Sequence, residues 1–235
     1  MLAAYRAHPQ GILGQLVQII DGVVITILPV RSYNFEMIFD SAEYWRKRYE
    51  SGGNSGAGSY GALADFKAAA LNDFVAREKI QSAIEYGSGD GNQLSLLHIS
   101  EYTGLDVSAR VIEVLRERYA GDLTKSFREY NPDNFVADGS TLADIGLSMD
   151  VILHLTEDER YEKYMNNLIA SSQKYLGIFN TATDVQLEKM AQHNRYRDHR
   201  NWLELHAPQF KEVQMSLTPA ELGYPLSTGF YFYKK

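Results

Sequence analysis

Three glycines and a carboxylate downstream of them predict a ligand-binding turn. Gly87, Gly89 and Gly91 alternate with other residues directly after an apolar segment and before a helical one. Glycines in such a turn let the backbone bend tightly and approach a ligand closely. Asp106 ends the next apolar segment, where a carboxylate can accept hydrogen bonds from both hydroxyls of a ribose. Together these residues predict a site for an adenosine-containing ligand.

The spacing and charge of the turn help to distinguish between classes of nucleotide ligand. The glycines follow a G-x-G-x-G pattern, whereas a dinucleotide site usually reads G-x-G-x-x-G and places the pyrophosphate at a helix N-terminus. Glu85 precedes the first glycine, and Asp90 lies inside the turn. Two carboxylates would repel a pyrophosphate, so they favour a cationic ligand that bears an amine.

At these residues the sequence resembles the class I, Rossmann-like, S-adenosylmethionine-dependent methyltransferases. The resemblance extends over residues 44–235, and its first motif is matched by Glu85, Gly87, Gly89 and Gly91. It implies S-adenosyl-L-methionine as the cofactor. It also implies an α/β, Rossmann-like methyltransferase fold, in which a seven-stranded, mostly parallel sheet has an antiparallel C-terminal edge strand and helices on both faces.

The resemblance also assigns residues to the parts of the cofactor. The acid that ends the second strand would hold the ribose, and Asp138-Gly139 would lie near the adenine amino group. The run YWRKRY…GGNSGAGSYG looks like the N-terminal cap of a bacterial subgroup linked to surface-glycan and sugar modification. In that cap, Arg48 and the backbone around Gly53 would meet the carboxylate end of the cofactor. The complete set of expected cofactor contacts is Arg48, Gly53, Glu85, Gly87, Gly89, Asp106, Val107, Asp138, Gly139 and His154.

Histidines are the first candidates for a general base. Methyl transfer to an alcohol requires removal of a proton, and in a chain without cysteine the base would be His, Asp or Glu, or positioning alone would suffice. His154 ends the predicted fourth strand, where open α/β sheets bind their substrates. It can act as a base or contact the substrate, or it can pack beside the adenosine with a structural hydrogen bond.

A second cluster of chemically capable residues follows the predicted fifth strand, in the segment 192–202. Guanidinium groups there can bind phosphate or carboxylate, and an aromatic ring can pack on a sugar face. We therefore expect an acceptor pocket, with a solvated basic helix as the alternative. The candidate bases are His193 and His199, whose spacing does not suit a pair of metal ligands on one helix face, so no metal site is predicted. The candidate substrate contacts are Arg195, Arg197, Trp202 and Asp184.

Alternating elements would position these residues. Short apolar strands are predicted at 82–87, 102–107, 134–139, 149–155 and 175–182, with helices at 92–98, 109–119 and 158–172. This alternation indicates a parallel sheet with helices on both faces. Two further strands, 210–217 and 228–235, suit an antiparallel addition at the edge of the sheet.

The composition limits the partners of the protein. The chain has 235 residues with 30 Asp and Glu against 23 Lys and Arg, a formal charge of −7. An acidic chain is a poor default binder of nucleic acid, because phosphate contacts need dense Lys and Arg. The absence of cysteine fits a reducing cytoplasm. We therefore expect a cytoplasmic protein whose partner is a small-molecule acceptor.

The first part of the chain falls outside the resemblance. We divide the chain into an N-terminal extension, 1–36, and a methyltransferase domain, 37–235, in which 37–79 would form cofactor-capping helices and a glycine-rich loop. Asp21 lies near the centre of the apolar stretch 11–30, and an aspartate there costs roughly 2.5–3.5 kcal/mol on membrane insertion, so stable insertion is not expected. The extension could instead form a packed appendage or a homodimer contact, or be disordered.

Two local features of this region leave alternatives open. Asp21-Gly22 lies between two apolar runs, which predicts a β-hairpin or a short helix-turn-strand. The glycine-rich stretch 52–61 can be a flexible linker, or it can be a loop that feeds a helix and presents backbone N–H groups to a ligand.

The combined prediction is an S-adenosylmethionine-dependent methyltransferase that transfers a methyl group to a hydroxyl or amine of a small molecule. The resemblance suggests a sugar or glycan intermediate as the acceptor. One alternative is a nicotinamide-dependent oxidoreductase on a related sheet. The other is a module that binds S-adenosylmethionine without catalysis.

Overall fold

The computed structural model describes residues 39–235 and, before them, four short strands. These strands are β1 (Tyr5–Ala7), β2 (Leu16–Ile20), β3 (Val23–Ile27) and β4 (Phe35–Met37). Strand β2 pairs antiparallel with β3, with Ile20 opposite Val23, and β1 pairs antiparallel with β4. The β2–β3 pair agrees with the hairpin prediction, although Asp21 and Gly22 themselves lie outside the described residues.

The chain divides into two compact units, Met1–Phe39 and Asp40–Lys235. The helices of the second unit are α1 (Ser41–Glu50), α2 (Gly61–Glu78), α3 (Ala109–Arg118), α4 (Asp158–Ser171) and α5 (His199–His206). Its strands are β5 (Ser82–Tyr86), β6 (Glu101–Asp106), β7 (Lys125–Glu129), β8 (Ala143–Met149), β9 (Ser172–Thr181), β10 (Lys211–Leu217) and β11 (Thr228–Lys234).

The strands of the second unit form one seven-stranded sheet in the order β10-β11-β9-β8-β5-β6-β7. Strands β5 to β9 run parallel, and β11 runs antiparallel to both of its neighbours. The predicted mostly parallel sheet with an antiparallel C-terminal strand is therefore confirmed. Strand β11 is inserted between β9 and β10, so β10 takes the outer position on that side.

The core has one layer on each face of the sheet, because side chains alternate along the strands. On one face, Phe74 of α2 stacks on Phe232 of β11 with ring centroids 4.1 Å apart. On the other face, Leu168 of α4 and Leu203 of α5 pack in a cluster with Ile178 of β9. The predicted helices on both faces are thus confirmed.

Three predicted elements are wrong or displaced. The segment 134–139 is a loop, and the third strand is β7, in which Phe127 is the one fully buried residue. The fourth strand is β8, which ends where the predicted strand 149–155 begins, and residues 152–154 form a 3₁₀ turn. The predicted helix 92–98 is reduced to a 3₁₀ turn at Leu94–Leu96. Among the described residues, no helix is long and apolar enough to cross a membrane.

Candidate functional site

A cavity of about 910 Å³, counting its open mouth, lies at the carboxyl ends of the parallel strands. Its floor includes Glu85 of β5, Asp106 of β6 and Met149 of β8. Strand β5 has β6 on one side and β8 on the other, so the chain changes direction across the sheet at this point. Open α/β sheets bind ligands at such a switch point. The capping segment adds Ser41, Ala42, Trp45, Tyr49, Ser55, Ser59 and Lys67 to the lining.

The glycine turn after β5 is crowded from two sides. Gly87 has a φ of +80°, and a Cβ built on it would lie 2.5 Å from Val151 Cγ2. Gly89 has a φ of +57°, and its Cβ would lie 2.3 Å from Ser55 Oγ. Positive φ and close approach both require glycine. The turn therefore has the tight backbone that the spacing predicts, and the residues that approach it come from other segments.

Asp106 lies beneath this turn at the end of β6. Its carboxylate accepts hydrogen bonds from the backbone N–H groups of Gly89 and Ser108, each at 3.0 Å. Burial raises the pKa of Asp106 to about 6, although these hydrogen bonds lower it. A carboxylate has about four lone-pair sites, so it can still accept bonds from a ligand diol. Asp106 and its neighbour Val107 both line the cavity.

Glu85 is the buried carboxylate at the centre of the floor. Tyr102 donates a hydrogen bond to its Oε2 at 2.5 Å. Burial raises the pKa of Glu85 to about 7, while Tyr102 and the charge of Lys67 lower it. A cation placed in the cavity would stabilise the ionised carboxylate. The charge of this residue therefore fits an amine-bearing ligand, as the sequence predicts.

Asp90, the second carboxylate of the turn, lines the cavity and is also hydrogen-bonded to the glycine-rich stretch. Its Oδ2 accepts hydrogen bonds from the Ser55 N–H and the Tyr60 hydroxyl, each at 2.8 Å, and its own N–H donates to Ser55 Oγ at 2.8 Å. Burial opposes ionisation, but the hydrogen bonds from Ser55 and Asn92 outweigh it and lower the pKa of Asp90. The glycine-rich stretch is thus held against the turn by specific bonds, which favours a ligand loop over a flexible linker.

Arg48 and Gly53 shape this loop without lining the cavity. Arg48 Nε donates to the Asn54 carbonyl at 2.7 Å, and the Gly53 N–H donates to the Arg48 carbonyl at 2.8 Å. Their expected contact with the cofactor remains a prediction. Asp138 and Gly139 are exposed in the loop that follows β7, and the Asp138 carboxylate accepts bonds from Ser140. Their expected place near an adenine is also untested.

His154 lines the cavity after β8, in contact with His193. Its Nδ1 lies 3.1 Å from the His193 carbonyl. A carbonyl only accepts, so Nδ1 carries the proton and Nε2 carries the lone pair of the neutral ring. Burial lowers the pKa of His154, which favours that neutral ring. His193 stacks on Tyr44 of α1 with ring centroids 4.6 Å apart, so it braces the wall that His154 forms.

His199 lies elsewhere, and its assignment as a base requires correction. It is completely buried and does not line the cavity. Asn180 Nδ2 lies 3.3 Å from its Nδ1, and the Tyr233 hydroxyl lies 3.1 Å from its Nε2. Burial lowers its pKa to about 3, so the ring stays neutral. These contacts tie α5 to β9 and β11, which is a structural role.

Replacing His199 by alanine is therefore expected to lower the free energy of unfolding by about 2–4 kcal/mol, because it opens a cavity and leaves buried polar groups without partners. Affinity for a ligand of the cavity should change little. Chemical denaturation and calorimetric ligand titration would measure the two effects. A large loss of turnover at unchanged stability would contradict the structural role.

The arginines of the segment 192–202 are paired within the protein. Arg195 and Arg197 both lie 2.8 Å from an oxygen of Asp158 at the start of α4. Trp202 donates to Glu162 at 2.9 Å, and Asp184 accepts from the Asp198 N–H at 3.0 Å. None of these four predicted substrate contacts lines the cavity. Arg195, Arg197 and Asp184 brace the loop before α5, and Trp202 ties α5 to α4. The expected acceptor pocket is therefore not found at these four residues in the cavity.

Lys67 and Asp150 form an ion pair that was not predicted from the sequence, and both residues line the cavity. The signal was present, because Lys67 occupies a core-facing position of α2 with the spacing of Leu63 and Leu71. A lysine at such a position is rarely fully buried unless it is paired. The contribution of Trp45 and Tyr49 of α1 to the lining was also missed. Among the described residues, no group of three or more His, Asp or Glu could hold a metal ion.

The comparisons with known proteins define the class of fold. No protein family and no curated protein matches the chain, whereas many solved structures share its fold. Phosphoethanolamine N-methyltransferase 1 of Haemonchus contortus, solved with phosphoethanolamine and S-adenosylhomocysteine, matches with a TM-score of 0.59 over 83% of this chain and 48% of its own, at 14% identity. The chain thus spans about half the length of that structure. It has the fold of the Rossmann-like methyltransferases.

Two shorter methyltransferases show the same likeness over most of their length. The N-methyltransferase NodS of Bradyrhizobium japonicum, solved with S-adenosylhomocysteine, matches with a TM-score of 0.57 over 73% of this chain and 85% of its own, at 14% identity. The magnesium protoporphyrin IX methyltransferase ChlM of Synechocystis PCC 6803 matches with a TM-score of 0.54 over 82% of this chain and 92% of its own, at 12% identity. At these identities the likeness concerns the fold.

Proposed function

We propose that this protein is an S-adenosylmethionine-dependent methyltransferase that acts on a small-molecule acceptor. The observation that carries the proposal is the meeting of Glu85, the glycine turn and Asp106 in one cavity at the switch point of the sheet. An S-adenosyl ligand at this position needs one acid to hold its ribose and a second acid close to its positive charge. The likeness to methyltransferases solved with S-adenosylhomocysteine supports the same ligand.

The lining of the cavity fits such a cofactor in its chemistry. The buried Ser88 Oγ and Gln93 Oε1 have no hydrogen-bond partner among the residues that the structure describes, and both residues line the cavity. A polar ligand would supply partners for them. Glu85 would face its positive charge, and Asp106 would hold its ribose.

The residues of the chain would then orient an acceptor and remove its proton. The cofactor supplies a methyl group that its sulfonium already activates. The capping segment lines one side of the cavity, so it would limit the direction from which an acceptor approaches. For a hydroxyl acceptor, we assign His154 as the base, because its Nε2 carries the lone pair and the residue lines the cavity. Packing beside the adenosine remains the other role for this histidine.

The acceptor is proposed as a hydroxyl or amine of a small molecule. A sugar or glycan intermediate rests on the sequence resemblance alone, because Arg195, Arg197 and Trp202 bond to the protein instead of facing the cavity. The cytoplasmic location and a homodimer through the N-terminal extension likewise remain predictions from the sequence.

Calorimetric titration with S-adenosylhomocysteine and with NAD(P) tests the proposal against its main alternative. Saturable binding of the former and none of the latter is expected. Saturable binding of NAD(P) alone would overturn the proposal in favour of an oxidoreductase. Transfer of a labelled methyl group from S-adenosylmethionine to a fractionated small-molecule extract then separates an enzyme from a binding module, which would bind without transfer.

Replacing Asp106 by alanine is expected to weaken the binding of S-adenosylhomocysteine by about 1–3 kcal/mol, since it removes charged hydrogen bonds to the ribose. The matched control is Asp65→Ala on the exposed side of α2, which should leave the affinity unchanged. Unchanged calorimetric affinity in the Asp106 variant would contradict the assignment of this residue to the ribose.

A further inference from the structure

A buried lysine of the capping segment borders the cavity. Lys67 lies on α2 and is completely buried. Its Nζ lies 2.6 Å from Asp150 Oδ2 and 5.2 Å from the centroid of the Phe179 ring. Asp150 is the one hydrogen-bond partner of this ammonium group among residues 39–235. The lysine therefore donates its hydrogen bond to a single carboxylate.

Asp150 is the member of the pair that a ligand can reach. Its side chain is 25% exposed, whereas that of Lys67 is 1% exposed. Both line the cavity, so the lysine supports the carboxylate from the protein side. Asp150 also has a φ of +58°, a left-handed conformation that costs a non-glycine residue about 1–3 kcal/mol. Such strain persists where the surrounding structure fixes a residue for a function.

Stability alone does not account for this ion pair. Replacing a buried ion pair by apolar residues is often neutral or stabilising, because both charges lose their water. The charge of Lys67 also acts on Glu85, whose ionised form it favours. One cation therefore supports two carboxylates that face the same cavity. When Glu85 is ionised, the three groups together carry one negative charge, which a ligand cation would neutralise.

The orientation of the cofactor would bring its amino-acid end close to Glu85 and Asp150. A nucleoside whose ribose Asp106 held, at the end of β6, would direct its tail toward β5 and β8, where Glu85 and Asp150 line the same cavity. We propose that Lys67 is a positioning residue that holds Asp150 in place, so that Asp150 and Glu85 together receive the ammonium group of the cofactor. This inference rests on the function proposed above.

The test compares two ligands in two proteins. The ligands are S-adenosylhomocysteine and its analogue in which hydrogen replaces the amino group. In the natural protein, the analogue should bind roughly 10- to 100-fold more weakly, as expected for a lost charged hydrogen bond. In Lys67→Met, the affinity for S-adenosylhomocysteine should fall by a similar factor, while the affinity for the analogue should stay almost the same. Calorimetry measures all four affinities.

Two further variants make the comparison interpretable. Lys47→Met removes a lysine that is 70% exposed on α1 and should leave both affinities unchanged. Lys67→Met leaves the partly buried Asp150 without its partner and could unfold the cap. The double variant Lys67→Met/Asp150→Asn removes both charges of the pair, so it should fold. Because only Glu85 then faces the ammonium group, this variant should distinguish the two ligands less than the natural protein does.

The outcomes distinguish the role of Lys67 from the proposed function of the protein. If Lys67→Met, or the double variant, loses affinity for both ligands equally, the ion pair is a structural tie and the inference is overturned. The same holds if the natural protein binds both ligands equally well, although the proposed function then stands. If the natural protein binds neither ligand, the proposed function fails and the inference fails with it.

Discussion

Replacing Glu85 by glutamine is expected to raise the free energy of unfolding of the ligand-free protein by about 3 kcal/mol at pH 8. Burial raises the pKa of Glu85 from 4.5 in a free chain to about 7 in the folded protein. The folded state therefore holds this proton more tightly than the unfolded state does. As the pH rises from 4.5 to about 7, the natural protein loses stability through this group, and the glutamine variant does not.

The gain should accordingly depend on pH. It should be nearly absent at pH 4 and complete above the folded-state pKa, and chemical denaturation at the two extremes would measure it. Glu101→Gln, at an exposed position at the start of β6, is the matched control and should show little effect at either pH. A gain of equal size at both pH values would contradict the burial of an ionised carboxylate.

The same substitution should weaken ligand binding. S-adenosylmethionine carries a sulfonium charge in addition to its amine, whereas S-adenosylhomocysteine does not. The affinity for S-adenosylmethionine should therefore fall more than the affinity for S-adenosylhomocysteine. Glu85 would then lower the stability of the ligand-free protein and raise its affinity for the ligand, which is the trade-off expected of a preorganised site.

Replacing Gly87 by valine is expected to abolish cofactor binding and to lower the free energy of unfolding by about 2–4 kcal/mol. A β-branched residue is strongly disfavoured at a φ of +80°. Its Cβ would also lie 2.5 Å from Val151 Cγ2, so either the turn or the loop after β8 must move. Ligand titration and thermal unfolding would measure both effects.

Gly121→Val provides the comparison, because a Cβ built on this exposed glycine meets nothing within 4 Å. This variant should bind the cofactor normally and unfold near the temperature of the natural protein. If Gly87→Val retained binding, the ligand could not lie against the turn, and the site would have to be sought elsewhere in the cavity.

The elements that carry the central site could be predicted because their signals are local. Strand β5, its glycine turn and Asp106 combine an apolar run, a spacing and a charge within a short stretch of sequence. Strand β7 escaped prediction because it is an outer strand with Phe127 as its one fully buried residue, so its sequence lacks an apolar pattern. The strand predicted at 134–139 resulted from apolar residues that the structure leaves in a loop.

The side chains around the site depended on partners that are distant in sequence. Arg197 looks like a free guanidinium in the sequence, but Asp158, Leu155 and Thr156 take its hydrogen bonds. His199 has the chemistry of a base, yet it is buried where α5 packs against β9 and β11, away from the cavity. Such pairings follow from packing rather than from spacing, so residue type alone overstated the acceptor pocket.

The reciprocal hydrogen bonds between Ser55 and Asp90 have a consequence for the exchange of ligand. The turn that would receive the nucleoside also anchors the loop that covers it. Binding of the nucleoside and closure of the loop would therefore be coupled, and each would favour the other. Release of the demethylated cofactor would then require the hydrogen bonds between Ser55 and Asp90 to break. Opening of the loop, rather than methyl transfer, can therefore limit the rate of turnover.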